Sequence, residues 1–192
     1  MHTTVTDRRN RSASPEIVIR RVTPSDCEDL ARFYGALSAD SLRARFLGYT
    51  RGLSGAVARS FCTLDHLRDE GFVALATDCD RDRIVGHVCL IHNGARGLEL
   101  AICVADEYQG LGIGRRLFDT ALAWSRDHEF ATIVATCYAA NSRVLALLAS
   151  SPLGARVTPA GAGLVDVAIP LQASRSTVGT ATQSLLPRLL AT

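Results

Sequence analysis

Apolar residues follow two regular patterns along the middle of the chain, and together these patterns predict the elements of one domain. Strand-type patterns, either alternating or continuously apolar, occupy residues 16–22, 72–77, 84–92, 98–104, 132–137 and 163–169. Helical spacing, with apolar residues three and four positions apart, occupies residues 23–37, 42–47, 53–62, 111–128 and 141–149. The three consecutive strands from residue 72 predict an antiparallel meander, so we expect a mixed α/β (α+β) fold.

The two ends of the chain lack these patterns. Residues 1–15 are polar and aperiodic, and residues 171–192 return to a similar composition. Neither end presents a regular apolar face that could pack against a core. We therefore predict a single domain over residues 16–170, between a disordered N-terminal tail and a C-terminal tail.

The composition is typical of an ordinary globular domain. The chain of 192 residues is 47% hydrophobic and 21% charged, and no apolar run approaches the roughly 18 residues that a membrane-spanning helix needs. The N-terminus lacks the pattern of a signal peptide, so we expect a cytoplasmic protein with no membrane partner. A formal net charge of +2, without a basic cluster, argues against a nucleic-acid partner. The six cysteines form no Cys-x-x-Cys pair, so we expect neither a metal site nor a disulfide framework.

The strongest chemical signal is a glycine-rich segment between a predicted strand and the predicted helix 111–128. Gly110, Gly112 and Gly114 alternate with apolar residues directly after Gln109. Glycines let the backbone approach an anion closely, and the first N–H groups of a helix lack intrahelical acceptors and carry the positive end of its dipole. The segment therefore predicts a phosphate-binding loop.

Two arginines in the first turn of that helix, Arg115 and Arg116, strengthen this prediction. Without a ligand each opposes the helix dipole by about 0.3 to 1 kcal/mol, and a bound diphosphate would reverse the sign. Guanidinium groups also match phosphate oxygens, so both are candidate pyrophosphate or 3′-phosphate contacts. Other phosphate loops fit less well, because the chain has no lysine for a Walker motif and residues 132–137 lack the acid of a dinucleotide site.

Residues 109–114, Gln-Gly-Leu-Gly-Ile-Gly, resemble the Gln/Arg-x-x-Gly-x-Gly/Ala acetyl-CoA loop of the GNAT superfamily of N-acetyltransferases. The resemblance covers roughly residues 16–170, since the surrounding strands and helices occur in the family's order. It implies a single GNAT-type domain with a mostly antiparallel mixed sheet of about six to seven strands, splayed after the fourth strand and flanked by about four helices. It also implies acetyl-CoA, or another short acyl-CoA, as co-substrate without a metal. Residues 33–38 and 41–46 are similar to the first helical region of bacterial protein-lysine acetyltransferases.

The resemblance further implies which residues hold the cofactor. The loop and first helical turn would bind the pyrophosphate, the backbone of the fourth strand would bind pantetheine, and the start of the helix 141–149 would contact the CoA arm. These residues are Gln109, Gly110, Leu111, Gly112, Ile113, Gly114, Arg115, Arg116, Ile102, Cys103, Val104, Asn141 and Arg143. For Asn141, a plain helix N-cap is the alternative.

The family mechanism, direct attack of an amine on the thioester, implies a general base. Glu99 is the first candidate, because related acetyltransferases often use an acid on this strand. Strand alternation places it on the face opposite Leu98 and Leu100, where it meets either solvent or a cleft. The alternative bases are Asp106, Glu107, His87 and His92.

The general acid and the acceptor stay open at this point. Many relatives place a tyrosine on the helix after the fifth strand to protonate the departing thiolate, and this chain has Leu147-Leu148-Ala149 there. The first functional hypothesis is an enzyme that acetylates a primary amine, either a protein lysine or a small amine, with residues 40–62 lining the acceptor side. The second is a non-catalytic acyl-CoA sensor or assembly module. The sequence also leaves a homodimer open.

Overall fold

The computed structural model describes residues 15–48, 55–78 and 81–172 of the chain, without the side chains of Asp78 and Arg81. The strands are β1 (Glu16–Arg21), β2 (Glu70–Asp78), β3 (Arg81–His92), β4 (Leu98–Val104), β5 (Thr132–Tyr138), β6 (Arg156–Gly161) and β7 (Leu164–Pro170). The helices are α1 (Cys27–Ala36), α2 (Ala39–Phe46), α3 (Gly55–Cys62), α4 (Ile113–Asp127) and α5 (Ser142–Ala149). The predicted tails lie almost entirely outside the described residues, so their disorder stays a prediction.

The strands form one seven-stranded sheet in the order β1-β2-β3-β4-β5-β7-β6. Neighbouring strands are antiparallel except for β4 and β5, which are parallel. The β4–β5 pairing holds only at Leu98–Ile133 and Glu99–Val134, so the two strands separate from Leu100 onwards. The predicted mostly antiparallel sheet, splayed after its fourth strand, is therefore confirmed.

Apolar side chains form a core on each face of this sheet. Leu117 and Phe118 of α4 are fully buried on one face, where α5 also packs. Tyr34 of α1 and Phe61 of α3 are fully buried on the other. Burying one such side chain contributes about 1.5 to 3 kcal/mol, so both faces stabilise the fold. Helices on both sides thus hold β4 and β5 in place next to their point of separation.

Strand β6 is the element that the hydrophobic pattern did not predict. All of its residues are exposed, and among the described strands it pairs with β7 alone, at the edge of the sheet. It also contains Pro159, which cannot donate to a β-ladder and is therefore tolerated at an edge. Because β6 has no buried face, its sequence carries no apolar alternation to detect.

Helix α2 begins at Ala39, three residues earlier than the pattern of apolar residues suggested. Ser38 caps it, since its Oγ accepts a hydrogen bond from the Ser41 N–H at 3.2 Å. The added turn is polar, so apolar spacing could not reveal it. This turn becomes part of the candidate site.

Among the described helices, none combines the length and the apolarity needed to cross a membrane. In the same part of the chain, no cluster of three or more His, Cys, Asp or Glu side chains is arranged to hold a metal ion.

Candidate active site

The separation of β4 from β5 opens a cleft of about 750 Å³. Its walls come from these two strands, from the glycine-rich turn before α4, and from α2 and α5. The predicted cofactor residues that line it are Ile102, Cys103, Val104, Gln109, Gly110, Gly112, Gly114, Arg115, Asn141 and Arg143. Leu111, which is 64% exposed, and Ile113, which is buried in the core, are not among the described lining residues. The fold thus brings several separate stretches of sequence together, and their contact with a cofactor stays a prediction.

The N-terminus of α4 is open at this cleft. Gly110 and Gly112 have φ angles of 81° and 80°, in the left-handed region that favours glycine. Gly112 is the N-cap residue of α4, and no side chain in the described ranges caps the helix. The first helical hydrogen bond runs from the Arg116 N–H to the Gly112 carbonyl at 3.1 Å. The N–H groups of residues 113–115 consequently have no acceptor within the described chain and are available to an anion.

The two arginines of this first turn point in different directions. Arg115 lines the cleft, where its Nε lies 2.8 Å from an oxygen of Asp119 and its Nη1 donates to Ser150 Oγ at 2.8 Å. Arg116 instead donates from Nη2 to the Ile17 carbonyl of β1 at 2.9 Å. Arg116 is not among the described residues that line the cleft. Of the two predicted phosphate contacts, the geometry brings only Arg115 to the site.

A series of hydrogen bonds links α2 to the glycine-rich turn and to α5. Asp106 accepts hydrogen bonds from the Ser38 N–H at 2.9 Å, the Ser38 hydroxyl at 2.8 Å and the Ser41 hydroxyl at 2.7 Å. Gln109 donates from Nε2 to Ser41 Oγ at 3.2 Å, and its Oε1 accepts from Arg143 Nη1 at 3.1 Å. Burial raises the pKa of Asp106, but the hydrogen bonds from Ser38 and Ser41 outweigh it and hold this pKa below its ordinary value. The Asp106 carboxylate is therefore charged at neutral pH.

Asn141 is a helix N-cap in this structure. Its side-chain oxygen accepts a hydrogen bond from the Val144 N–H at 3.2 Å, while the residue also lines the cleft. The alternative interpretation of Asn141 is thus observed, and it does not conflict with a cofactor contact.

Glu99 lies where β4 and β5 separate. It pairs with Val134 at the last bridge between the two strands, and it is only 6% exposed. The Nδ2 of Asn93 lies 3.5 Å from Oε2 of Glu99. Glu99 is not among the described cleft-lining residues, although Ala101, two positions further on the same face of β4, does line the cleft. The Glu99 carboxylate is therefore buried and does not face solvent. It lies at the closed end of the cleft, which is the end where β4 and β5 are still paired.

His87, one of the alternative bases, is a packed core residue. It is fully buried, and its Nδ1 lies 2.8 Å from the hydroxyl of Tyr34. Burial, and secondarily the charge of Arg45, lowers the pKa of His87 to about 3. The imidazole is neutral at physiological pH and is not among the described residues that line the cleft.

The remaining alternative bases differ in their access to the cleft. Glu107 forms an exposed ion pair with Arg83 at 3.1 Å, and His92 packs its ring against Phe130 with centroids 5.8 Å apart. Neither is among the described cleft-lining residues. Asp106 does line the cleft, but both of its oxygens already accept hydrogen bonds.

On α5, Leu147 and Leu148 line the cleft where relatives often carry a tyrosine. Tyr108, which the sequence analysis did not single out, also lines it. The Tyr108 hydroxyl accepts a hydrogen bond from Arg83 Nη2 at 3.0 Å. Tyr108 lies four residues after the end of β4 and directly before Gln109, and the folded arrangement reveals that it borders the cleft.

Helix α2 and its N-cap contribute residues that the sequence analysis did not assign individually, and all but Ser38 fall within residues 40–62, the segment expected on the acceptor side. These residues are Ser38, Ser41, Ala44 and Arg45. Arg45 is 4% exposed and lies on the buried side of α2 with Leu42 and Phe46. A signal for this burial was present in the sequence, because Arg45 stands three positions after Leu42 on the apolar stripe of the helix.

Comparisons with known sequences agree with this geometry. The Acetyltransferase (GNAT) family matches the chain over residues 39–151, which is more than half of its 192 residues. Acetyltransferase PA5475 of Pseudomonas aeruginosa is 29% identical over 128 residues, which cover 65% of this chain and 68% of that protein.

Solved structures share the fold over most of the chain. The GNAT domain of S. lividans PAT superposes with a TM-score of 0.70 at 23% identity, over 79% of this chain and 89% of that one. YncA from Salmonella typhimurium, solved with acetyl-CoA, gives a TM-score of 0.66 at 17% identity over 86% and 99%. The spermidine N-acetyltransferase of Vibrio cholerae, solved with CoA and spermine, gives 0.61 at 18% identity over 81% and 95%. The sequence match and the shared fold place this chain in the GNAT family of acetyl-CoA-dependent N-acetyltransferases.

Proposed function

We propose that this chain transfers an acetyl group from acetyl-CoA to a primary amine by direct attack of the amine on the thioester. The observation that carries the proposal is the uncapped N-terminus of α4, which opens onto the cleft between β4 and β5. The CoA pyrophosphate would accept hydrogen bonds from the N–H groups of residues 113–115, with Arg115 beside it. The conformation of Gly110 and Gly112 supports this close approach of an anion to the backbone.

The separated edge of β4 supports a site for pantetheine. After Glu99, the edge of β4 that faces β5 has no ladder partner among the described residues, so its backbone groups can bind an extended chain. Pantetheine carries amides that can pair with such an edge, as a further strand would. Residues 102–104 line the cleft along this edge. An acyl group at the end of pantetheine would then lie near the closed end of the cleft.

Glu99 is the proposed general base. An amine with a pKa of about 10.4 is almost fully protonated at pH 7, and its deprotonation represents roughly 4 to 5 kcal/mol of the barrier. The amine would transfer a proton to Glu99, directly or through a water, and its nitrogen would bond to the thioester carbon. The carbon–sulfur bond would break, and the thiolate, whose conjugate acid has a pKa of about 8.5, would take a proton from solvent. This order needs no acid on α5, which fits the leucines found there.

The acceptor would enter from the side of α2. Arg43 of this helix stacks over the ring of Tyr138, with the guanidinium 5.2 Å from the ring centroid, and so joins α2 to the end of β5. The acceptor in this proposal is either a small amine or a protein lysine. The structural neighbour that holds spermine supports the first, and the resemblance of residues 33–38 and 41–46 to bacterial protein-lysine acetyltransferases supports the second.

Two measurements on the full chain test the proposal. Calorimetric titration with acetyl-CoA should give one saturable site, and a free-thiol assay should detect CoA release with at least one acceptor in a panel of polyamines, amino acids and lysine peptides. Absence of saturable binding would remove the cofactor assignment altogether.

A second candidate function is an acyl-CoA sensor without turnover. It is favoured by Leu147 and Leu148 at the cleft and by the position of Glu99 outside the described cleft lining. Saturable acetyl-CoA binding combined with no thiol release on the whole panel would select this function.

A further inference from the structure

Arg45 lies near the closed end of the cleft, on the face of α2 that lines it. Its Nη2 donates to Cys89 Sγ of β3 at 3.2 Å. Cys89 pairs with Ala101 of β4, which also lines the cleft and lies two residues from Glu99. The Arg45 guanidinium therefore lies beside the part of the cleft where the proposed acyl transfer would occur.

The charge of Arg45 has no compensating partner in the described chain. The side chain is 4% exposed, and among the described residues its Nε and Nη1 have no hydrogen-bond acceptor. A thiol is a weak acceptor, so the contact with Cys89 does not replace an oxygen. The rings of Phe46 and Phe61 lie 4.8 and 5.3 Å from the guanidinium carbon. Such contacts stabilise a cation without neutralising it.

The titratable groups nearest to Arg45, which are Tyr34, Cys89, Cys103 and His87, supply no negative charge at neutral pH. Burial raises the pKa of Cys103 to about 11 and raises that of Tyr34 well above its usual value. Burial also raises the pKa of Cys89 and lowers that of His87 to about 3. The ion pairs formed within the described chain include none between Arg45 and Glu99, although Glu99 lies on the same face of the sheet. The nearest groups are therefore thiols, a phenol and a neutral imidazole.

The other two arginines that line the cleft, unlike Arg45, have oxygen acceptors. Arg115 has the Asp119 carboxylate and Arg143 has the Gln109 amide oxygen, and both arginines are less buried than Arg45. Burying an ion costs several kcal/mol, and buried charges in folded proteins are normally paired. Among the described residues Arg45 is thus a buried cation with no oxyanion partner. Because Arg45 is little exposed and lines the cleft, the cleft gives an anion a route to its guanidinium.

We propose that Arg45 binds a carboxylate that a substrate carries into the closed end of the cleft. This inference rests on the proposed acetyltransferase function and narrows its substrate class. The carboxylate has two possible sources: an amino-acid acceptor, or the far end of a dicarboxylic acyl group on CoA. A guanidinium suits either, because its planar array of N–H donors matches carboxylate oxygens.

The experiment compares matched pairs of ligands by calorimetry, so it does not require turnover. Acetyl-CoA is paired with succinyl-CoA on the free protein, and each amino acid is paired with its amide on the CoA-bound protein. One pair should differ by about tenfold or more in Kd in favour of the carboxylate, since a hydrogen-bonded charge pair contributes about 1.5 to 3 kcal/mol. A difference in Kd between acetyl-CoA and succinyl-CoA identifies the acyl group as the source of the carboxylate. A difference in Kd between an amino acid and its amide identifies the amino acid as the source.

Arg45→Met should abolish this preference while acetyl-CoA binding stays within about twofold. Arg126→Met, which removes an exposed arginine of α4, is the matched control and should keep the preference. The Met variant should also unfold at an equal or higher temperature, because replacing an uncompensated buried charge by an apolar side chain relieves desolvation. Should Arg45→Met fail to fold, Arg45→Lys, which keeps the charge and loses the planar donors, should reduce the preference.

The inference is overturned if acetyl-CoA binds but no pair differs in the wild-type protein. It is equally overturned if a preference survives in Arg45→Met or, where that variant does not fold, is undiminished in Arg45→Lys. Failure of the proposed function is a different result, because acetyl-CoA itself would then show no saturable binding to the wild type.

Discussion

The carboxylate of Asp106 accepts hydrogen bonds from both the N–H and the hydroxyl of Ser38, at 2.9 and 2.8 Å. These bonds attach the first turn of α2 to the segment between β4 and the glycine-rich turn. One residue thereby joins the wall expected to face the acceptor to the loop expected to hold the cofactor. Because the bonds are charge-assisted, each is stronger than a neutral one.

Asp106→Asn should weaken the acceptor side of the site more than the cofactor side. An amide cannot replace all three charge-assisted acceptor contacts, and a loss of about 1 to 2 kcal/mol corresponds to roughly a 5- to 30-fold rise in acceptor KM. Steady-state thiol release and acetyl-CoA calorimetry would measure the two effects separately. Asp40→Asn, at an exposed carboxylate that also lines the cleft, is the control. An equal rise in the acceptor KM and the acetyl-CoA Kd would contradict the proposal that Asp106 acts mainly on the acceptor side.

Gly112→Ala should lower acetyl-CoA affinity by about tenfold and stability by about 1 to 2 kcal/mol. The cause is conformational, since a Cβ there has open space but the φ of 80° disfavours an L-residue. Gly35→Ala is the matched control, because Gly35 is helical and a Cβ there meets nothing within 4 Å. That change should instead stabilise the protein by about 0.5 to 1 kcal/mol. Calorimetry and urea denaturation report the two quantities, and unchanged acetyl-CoA affinity in Gly112→Ala would count against the loop.

Glu99→Gln should reduce kcat by about 100- to 10,000-fold while the Kd for acetyl-CoA changes less than twofold. Gln keeps the size of the buried side chain but removes its negative charge and its ability to accept a proton. Glu107→Gln is the control, because Glu107 is an exposed carboxylate paired with Arg83, and this change should leave kcat unchanged. If thiol release with a true acceptor is the same in Glu99→Gln and wild type, Glu99 is not the base.

Asp26→Asn should lower the free energy of unfolding at pH 7 by about 1 to 2 kcal/mol. This difference between variant and wild type should disappear at acidic pH. Hydrogen bonds from Arg20, two of them at 2.7 Å, outweigh burial and hold the pKa of Asp26 below its ordinary value. A carboxyl whose pKa is depressed on folding stabilises the protein above its unfolded pKa of about 3.9. That contribution disappears as pH falls through the folded pKa.

The measurement for Asp26 is urea denaturation of wild type and variant between pH 7 and pH 2.5. The difference between them should be constant down to about pH 4 and shrink below it. Asp29→Asn, at an exposed carboxylate paired with Arg32 three residues on, is the control and should have little effect at any pH. A difference that grows in acid would contradict the assignment.

Local sequence was enough to predict the helix α4 and the turn before it. Glycines alternate with apolar residues there, and helical spacing follows for several turns, so conformation depends mainly on neighbours along the chain. The faces of β4 follow from the same kind of reasoning, since side chains alternate along a strand. The resemblance to GNAT proteins supplied the splay between β4 and β5, which no local pattern encodes.

Other features depended on contacts between distant segments. Arg116 neighbours Arg115 in sequence, yet one turns to the backbone of β1 and the other to the cleft, because only the packed sheet offers Arg116 the Ile17 carbonyl. Strand β6 could not be recognised because an exposed edge strand carries no apolar alternation. Its existence depends on backbone pairing with β7.

By itself the sequence determined the elements with a buried face and the loop whose glycines need positive φ, because both follow from residue type and spacing. The tertiary structure alone decided that Glu99 is buried at the closed end of the cleft and that Arg45 lies beside that cleft without a carboxylate partner in the described chain. The physical reason is that burial and charge pairing depend on which distant segments meet, and the periodicity of one segment contains no record of the other.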